Sequence, residues 1–292
     1  MYELVQAGPQ SFYLNGPTKI GIYLAGEDRV YLIDSGGDRD AGRKARQILD
    51  QKGWALAGIL NTHSHADHIG GNRYLQNQTG CRVYSSGIEA AFTRYPVLEP
   101  SFIYGGYPCG DLRHKFLLAQ DSEVTDFSHE SFPTEVEVIP LPGHSFDMVG
   151  FRTPDGTVFL ADCLSSRATL DKYAVTFIYD VAAYLRTLDM VAAMEAPLFV
   201  PSHAEAGADI RELAEYNKKR VLDVAETILT LCGEPLHFDA IMQGLFDHYG
   251  LTMYFQQYAL VGSTVKSYLS WLKENGRVDV ECRDNLMLWR KC

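Results

Sequence analysis

Short apolar runs alternate with polar, helix-forming segments along the first eighty residues of the chain. Strands are predicted for the runs FYLNG, KIGIYLAG, RVYLIDSGG, AGILNTH and CRVYSS, which are rich in β-branched and aromatic residues and bounded by turn residues. The polar segment 39–52 contains good helix formers, and residues 70–79 can begin a second helix. Strands that alternate with helices in this way predict an α/β protein.

The strand pattern resumes at residue 135 with the runs EVEVIPLPG, MVGFRTP and TVFLADC. A hairpin turn is predicted at Thr153-Pro154-Asp155-Gly156, between the second and third of these runs. Apolar residues at helical spacing predict a helix over 180–195, and PLFVPSH follows it as one more strand.

The pattern becomes mostly helical after residue 208. A long helix is predicted over 208–231, followed by two further helices and a short hairpin that ends the chain. We therefore predict two domains, an α/β domain of residues 1–208 and a smaller, mostly helical domain of residues 209–292.

Residues 93–132 lack clear periodicity and are rich in Pro, Gly and aromatic residues. A segment of this kind is either a lid or binding loop, or a surface excursion packed by its own aromatic side chains. If it forms a wall of a binding site, its candidate contacts with an organic substrate are Phe102, Tyr104, Tyr107 and Arg113.

Composition narrows the classes of function. Of the 292 residues, 46% are hydrophobic and 22% charged, which is typical of a globular protein. The net charge of −11 disfavours nucleic acids and anionic membranes as partners. We expect neither a secretory signal nor a membrane span, and the six Cys lack paired spacing, which favours reduced thiols and a cytoplasmic location.

Four metal-binding side chains stand within six residues after a predicted strand: His63, His65, Asp67 and His68. Imidazole and carboxylate groups are ligands for zinc and iron. His63 and His65 would point to the same side of an extended segment, and Asp67 and His68 follow as the chain turns. This density of ligands predicts a site for one or two metal ions.

Three single residues extend this set, each at the predicted C-terminal end of a strand. They are His144, Asp162 and His203. Binding sites of α/β proteins gather at such strand ends, so these three side chains can complete the metal site.

The sequence resembles the metallo-β-lactamase superfamily over about residues 10–205. The family's HxHxDH motif matches residues 63–68, and its later His, Asp and His match His144, Asp162 and His203 in order. Its early acidic residue matches Asp34, in the motif LIDSGG. The resemblance implies an αββα sandwich with the metals at one edge, between two sheets.

The resemblance also implies which residue binds which metal. His63, His65 and His144 would hold a first divalent metal, Asp67, His68 and His203 a second, and Asp162 would bridge them. Zinc is the expected metal, with iron or manganese as alternatives. Asp34 would support the cluster from outside by hydrogen bonds, or would only cap a turn.

Two adjacent metal ions can share a water and convert it into a hydroxide nucleophile at neutral pH. We therefore predict a metal-dependent hydrolase in which Asp67 and Asp162 are catalytic, and which cleaves a small ester-like bond such as a thioester or lactone. Cys163 follows Asp162 directly, but neighbours in a strand face opposite ways, so we expect a buried structural thiol.

Two other functions stay open. Persulfide dioxygenases of the same superfamily use one iron, held by residues that match His63, His144 and Asp162. A nuclease is the second alternative, because residues 209–292 resemble a small winged-helix-like cap found in one branch of the family. The third helix of this segment carries only Lys266 and Lys273, which favours a cap or a homodimerisation module over a nucleic-acid grip.

Overall fold

The description covers residues 2–292 of the chain, from a computed structural model. The strands are β1 (Glu3–Gln6), β2 (Ser11–Asn15), β3 (Ile20–Leu24), β4 (Arg29–Ile33), β5 (Ala55–Leu60), β6 (Arg82–Tyr84), β7 (Val124–Thr125), β8 (Glu137–Pro140), β9 (Val149–Arg152), β10 (Val158–Ser165), β11 (Phe199–His203), β12 (Val278–Arg283) and β13 (Leu286–Lys291). The α-helices are α1 (Arg39–Lys52), α2 (Ala66–Ile69), α3 (Asn72–Thr79), α4 (Gly87–Arg94), α5 (Leu98–Tyr104), α6 (Arg167–Tyr173), α7 (Val181–Ala192), α8 (Arg211–Leu231), α9 (Phe238–Tyr249) and α10 (Phe255–Glu274).

Two sheets form the centre of the fold. Strands β1 to β7 make a mixed seven-stranded sheet in sequential order, antiparallel up to β4 and parallel from β4 onward. A four-stranded sheet has the order β11-β10-β9-β8, in which β10 and β11 are parallel. Strands β12 and β13 form a hairpin, and Trp289 of β13 also makes an antiparallel bridge to Leu236.

Alternating side chains of β4 show how the layers are held together. Val30 and Leu32 lie in the apolar cluster that includes α1 and α3, whereas Tyr31 and Ile33 lie in the cluster shared with the second sheet. Successive side chains of a strand face opposite sides of its sheet, so β4 binds a helical layer on one side and a sheet on the other. The predicted αββα order is thus confirmed.

The outer face of the four-stranded sheet is covered by α7, α8 and the C-terminal helices. One buried apolar cluster runs from β10 through α7 and α8 to α9, α10 and the first residue of β12. Residues 209–292 therefore pack directly against the four-stranded sheet. The three helices and hairpin predicted for this segment are present, while its likeness to a winged helix and the boundary near 210 stay predictions.

Local predictions differ from the structure in several places. Residues 93–132 are less irregular than predicted, because α5 lies within them and β7 adds an edge strand to the large sheet. The sequence pattern also gave no indication of β1 or α6. Among residues 2–292, no helix combines the length and apolar character needed to cross a bilayer.

Candidate metal centre

The seven predicted ligands come together at one edge of the sandwich, between the two sheets. His63 and His65 follow β5, Asp67 and His68 lie on α2, His144 follows β8, Asp162 lies within β10, and His203 ends β11. Their ligand atoms fall into two groups, within each of which all atoms lie within 4.8 Å of one another. The first group is His63, His65 and His144, and the second is Asp67, His68, Asp162 and His203.

Strand β10 is distorted where it carries Asp162. Its register against β11 shifts on both sides of Ala161, a residue with a φ of +50°. This is the left-handed region, which a non-glycine residue rarely adopts and which often accompanies functional sites. Beyond the distortion, Cys163 is fully buried in the core while Asp162 faces the centre, as its alternate position in the strand predicted.

Three imidazole nitrogens converge in the first group. The Nδ1 atom of His65 lies 3.1 Å from Nε2 of His63 and 3.1 Å from Nε2 of His144. Three such nitrogens aimed at one point suit a cation, since tetrahedral metal sites are built from nitrogen donors of this kind.

Asp162 lies between the two groups. Its Oδ1 is 3.0 Å from Nε2 of His68, and its Oδ2 is 3.2 Å from Nε2 of His203 and 3.5 Å from Nε2 of His144. Asp67 completes the second group, with Oδ2 3.1 Å from Nε2 of His203. This arrangement agrees with the bridging position that the sequence resemblance implied for Asp162.

Four histidines form hydrogen bonds through Nδ1, the ring nitrogen that faces away from the centre. These hydrogen bonds fix the orientation of each ring, with Nε2 towards the centre. His68 Nδ1 faces Asp34 Oδ2 at 2.7 Å, His144 Nδ1 faces the carbonyl of Phe177 at 3.1 Å, His203 Nδ1 faces that of Pro17 at 3.2 Å, and His63 Nδ1 faces Thr62 Oγ1 at 3.0 Å. Carbonyl and carboxylate oxygens accept only, so Nδ1 carries a proton in His68, His144 and His203, and Nε2 is the nitrogen directed inward. This orientation suits metal binding, in which a cation takes the place of any proton on Nε2.

Burial and charge divide the two groups. Burial lowers the pKa of His65 and of His144 to about 4, and lowers the pKa of His63 well below its usual value. The first group is therefore uncharged at neutral pH, the form in which imidazole binds a metal.

Carboxylates dominate the second group. Burial alone would lower the pKa of His203, but Asp162 and Asp67 outweigh it and raise that pKa to about 10. Burial likewise opposes, but does not cancel, the effect of the histidines on Asp162, whose pKa lies well below its usual value. This group attracts positive charge, whether as protons or as a metal ion.

Two buried atoms test whether the residues fit a metal. Nε2 of His68 and Oδ1 of Asp162 are shielded from solvent and have no hydrogen-bond partner within residues 2–292, although they lie 3.0 Å apart. Buried polar atoms without partners are costly, and a cation between such atoms removes that cost. The donor set and these atoms together fit divalent metal ions.

Asp34 contacts both the ligand loop and a ligand. Its Oδ1 accepts a hydrogen bond from the backbone N–H of Thr62 at 2.8 Å, and its Oδ2 accepts one from Thr62 Oγ1 at 2.7 Å. Since Oδ2 also faces His68, Asp34 orients part of the second group, which goes beyond the capping of a turn.

Sequence reasoning missed two side chains at the centre. Thr18 Oγ1 donates to Asp67 Oδ2 at 2.8 Å, and Glu89 binds the loops of both His65 and His144. Thr18 is not part of any recognisable motif, and Glu89 lies on α4, whose local sequence carries no signal of a functional residue. Only the tertiary fold brings either to the site.

The four candidate substrate contacts from residues 93–132 lie in different places. Phe102 lines a small pocket beside His65 together with Phe92, Phe146 and Tyr179. Tyr104 packs against Phe255 of α10, at 6.0 Å between ring centroids. Tyr107, which is 77% exposed, receives a hydrogen bond from Arg113 at 3.1 Å, and neither residue lines that pocket.

A cleft of about 490 Å³ continues outward from this pocket. The two share Phe102, Ile103 and Tyr179, and the far wall of the cleft is the face of α10 that carries Ser263, Lys266, Ser267, Ser270 and Trp271. Its volume lies in the range of small-molecule sites. Thus the C-terminal segment and the loop around α5 form opposite walls of one cleft.

Comparison with known proteins gives a match that spans the metal centre. A family model described as the metallo-beta-lactamase superfamily matches residues 17–203. A beta-lactamase-like protein 2 homolog of Drosophila melanogaster is 26% identical over 213 residues, which are 69% of this chain and 63% of that protein. A hydroxyacylglutathione hydrolase of Methylococcus capsulatus is 54% identical over 64 residues, which are 20% of this chain and 25% of that protein.

Solved structures extend the likeness to the whole chain. A beta-lactamase domain protein from Burkholderia ambifaria superposes with a TM-score of 0.73 over 99% of this chain and 95% of its own, at 16% identity. A metallo-beta-lactamase family protein from Thermus thermophilus gives a TM-score of 0.68 over 100% and 98%, at 20% identity. At such identities the likeness concerns the fold alone, and it includes the C-terminal segment.

Proposed function

The chain belongs to the metallo-β-lactamase superfamily, and on this premise we propose that it is a metal-dependent hydrolase that cleaves a thioester, a lactone or a related small ester-like bond with two metal ions. The observation that carries the proposal is the pair of ligand groups that meet at Asp162. One group alone would suit a single metal, whereas two groups with a shared carboxylate suit two.

The residues of the chain divide the work as follows. His63, His65 and His144 would hold the first metal, Asp67, His68 and His203 would hold the second, and Asp162, which lies within 3.5 Å of ligand nitrogens of both groups, would serve both. When bound, such metals supply Lewis acidity that activates water and polarises a carbonyl oxygen. We propose zinc, because nitrogen and carboxylate donors suit it, with iron or manganese as alternatives.

Asp67 and Asp162 differ in their access to a substrate. The Asp67 side chain is 35% exposed, whereas that of Asp162 is only 10% exposed. We assign Asp162 to the interior, where it fixes the two groups relative to each other. Asp67, held by the hydroxyl of Thr18, faces the open side, where the reacting water and the substrate must enter.

Relatives and the cleft support a thioester or a similar compound. Several curated relatives are named hydroxyacylglutathione hydrolases, a name that describes hydrolysis of an acyl group on glutathione. The cleft combines aromatic walls with hydroxyl groups, one ammonium group and the carboxylates of Asp180 and Glu274, which suits an organic substrate with a polar tail. The polar face of α10 forms a wall of this cleft, which supports a role for residues 209–292 as a cap.

The test combines metal content with a panel of substrates. Purified protein should contain about two metal ions per chain and should hydrolyse at least one member of a panel of thioesters, lactones, carboxylic esters and phosphodiesters. One iron per chain with oxygen consumption on a persulfide would replace this proposal with a dioxygenase. Salt-sensitive binding and cleavage of RNA or DNA would replace it with a nuclease.

Phe102→Ala should lower kcat/KM for the best panel substrate by about 10-fold, mainly through KM. The substitution removes an aromatic wall beside His65, and lost contacts in an apolar pocket have effects of about this size. Tyr107→Ala is the matched control, because it removes an aromatic ring from the same segment at an exposed position. Steady-state kinetics decide, and equal effects of the two substitutions would contradict the assignment of Phe102.

A further inference from the structure

Glu89 is a buried carboxyl group that no ion pair accounts for. It lies on α4, its exposed fraction is 2%, and no Lys, Arg or His nitrogen within residues 2–292 comes within 4.0 Å of it. A buried acid is costly unless hydrogen bonds satisfy it. The hydrogen bonds that satisfy the Glu89 carboxyl group therefore indicate its role.

Four donors satisfy Glu89, and all four come from the ligand loops. Oε2 accepts from the backbone N–H of Ser64 at 2.9 Å and from Ser64 Oγ at 2.6 Å. Oε1 accepts from Ser145 Oγ at 2.5 Å and from the backbone N–H of Asp147 at 3.1 Å. A carboxylate, which only accepts hydrogen bonds, matches this set of donors completely.

The two loops that Glu89 joins belong to different sheets. Ser64 stands between His63 and His65, after a strand of the seven-stranded sheet, and Ser145 follows His144, after a strand of the four-stranded sheet. The three ligand nitrogens of the first group converge only if these loops keep a fixed separation. One rigid side chain bonded to both loops sets that separation.

The second group has a different support. Asp34 bonds His68 and Thr62, whereas none of the hydrogen bonds of Glu89 reaches Asp67, His68, Asp162 or His203. Glu89 therefore contacts only the loops of the first group, whereas Asp34 contacts His68 of the second group directly and His63 of the first group through Thr62. Partners that orient metal ligands affect metal affinity by roughly 10- to 100-fold.

We propose that Glu89 is the positioning residue of the first metal group, and that it sets the affinity of that group selectively. The proposal rests on the metal centre proposed above. The Glu89→Gln substitution keeps the shape of the side chain but replaces one acceptor oxygen with an NH₂ donor. Whichever way the amide turns, that NH₂ faces a backbone N–H of one of the loops, so one loop is released.

The test measures zinc affinity in full-length protein with one group disabled. In a His203→Ala background, which weakens the second group, Glu89→Gln should lower zinc affinity roughly 10- to 100-fold. In a His144→Ala background, which weakens the first group, the same substitution should change zinc affinity by less than about 3-fold. Asp34→Asn is the comparison: because Asp34 contacts His68 directly and His63 through Thr62, this substitution should lower zinc affinity in both backgrounds.

Each outcome decides a different point. Equal weakening in both backgrounds, or none in either, would overturn the selective role of Glu89. If Glu89→Gln protein does not fold, Ser145→Ala is the second variant, because it removes only the hydrogen bond from the Ser145 hydroxyl on the His144 side. It should still lower zinc affinity in the His203→Ala background. Failure of the wild-type protein to bind zinc would count against the proposed metal centre instead.

Discussion

Asp162→Ala should lower kcat/KM by at least about 10³-fold and should reduce the metal content below two ions per chain. The carboxylate lies within 3.5 Å of ligand nitrogens from both groups. Its loss leaves His68 and His203 with only Asp67 to offset a metal's charge. Metal analysis of the purified variant and steady-state kinetics measure the two effects.

The control for this variant is an aspartate far from the centre. Asp189→Ala removes a carboxylate that is 61% exposed and pairs with Lys218 on the surface. Exposed pairs contribute little, so activity and metal content should stay at wild-type values. An Asp162→Ala protein with two metals and undiminished turnover would refute the bridging position of this residue.

Complete removal of metal should abolish hydrolysis and lower Tm by on the order of 10 °C, with both restored by added zinc. A ligand present at a thousand times its Kd stabilises the native state by about 4 kcal/mol, and 1 kcal/mol moves Tm by roughly 2–4 °C in proteins of up to 250 residues. Removal of metal takes this stabilisation from the native state, because the seven ligand side chains, two of them carboxylates, then lie together without a cation.

The measurement is a thermal scan before and after dialysis against a chelator, with residual metal determined in each sample. Asp162→Ala protein provides the comparison, because its shift on metal removal should be clearly smaller than that of the wild type. An unchanged Tm in protein shown to be free of metal would mean that the seven side chains do not bind metal strongly.

Local sequence patterns were sufficient for most of the strands and helices and for the seven side chains that the fold brings together. The strands that end at residues 60, 140 and 203 are recognisable in the sequence from their apolar runs. Ligands stand at or just after the ends of these strands. Four ligands fall within six residues, so their proximity needs no knowledge of the tertiary structure. The sandwich itself came from the family resemblance, since periodicity alone does not say which strands share a sheet.

The supports of the ligands could not be predicted in the same way. Glu89 is 25 residues from Ser64 and 56 from Ser145, so only packing of α4 between the loops reveals its contacts. The carbonyls of Pro17 and Phe177 carry no side-chain signal at all. Helix α5 was missed because Pro100 and the glycines near it favour irregular structure locally, while tertiary contacts with α10 favour a helix.

The bond between His203 and the carbonyl of Pro17 joins positions 186 residues apart, and Lys19 bonds Ser202 and Ala204 at the same seam. A nascent chain exposes the last ligand of the first group about sixty residues before His203, which at 5–20 residues per second is roughly 3–12 s. The contact between Pro17 and His203 closes a loop of 186 residues, which is entropically costly and slow. During biosynthesis the first group should therefore be able to capture metal early, while the second becomes complete only when the end of the α/β segment docks onto its beginning.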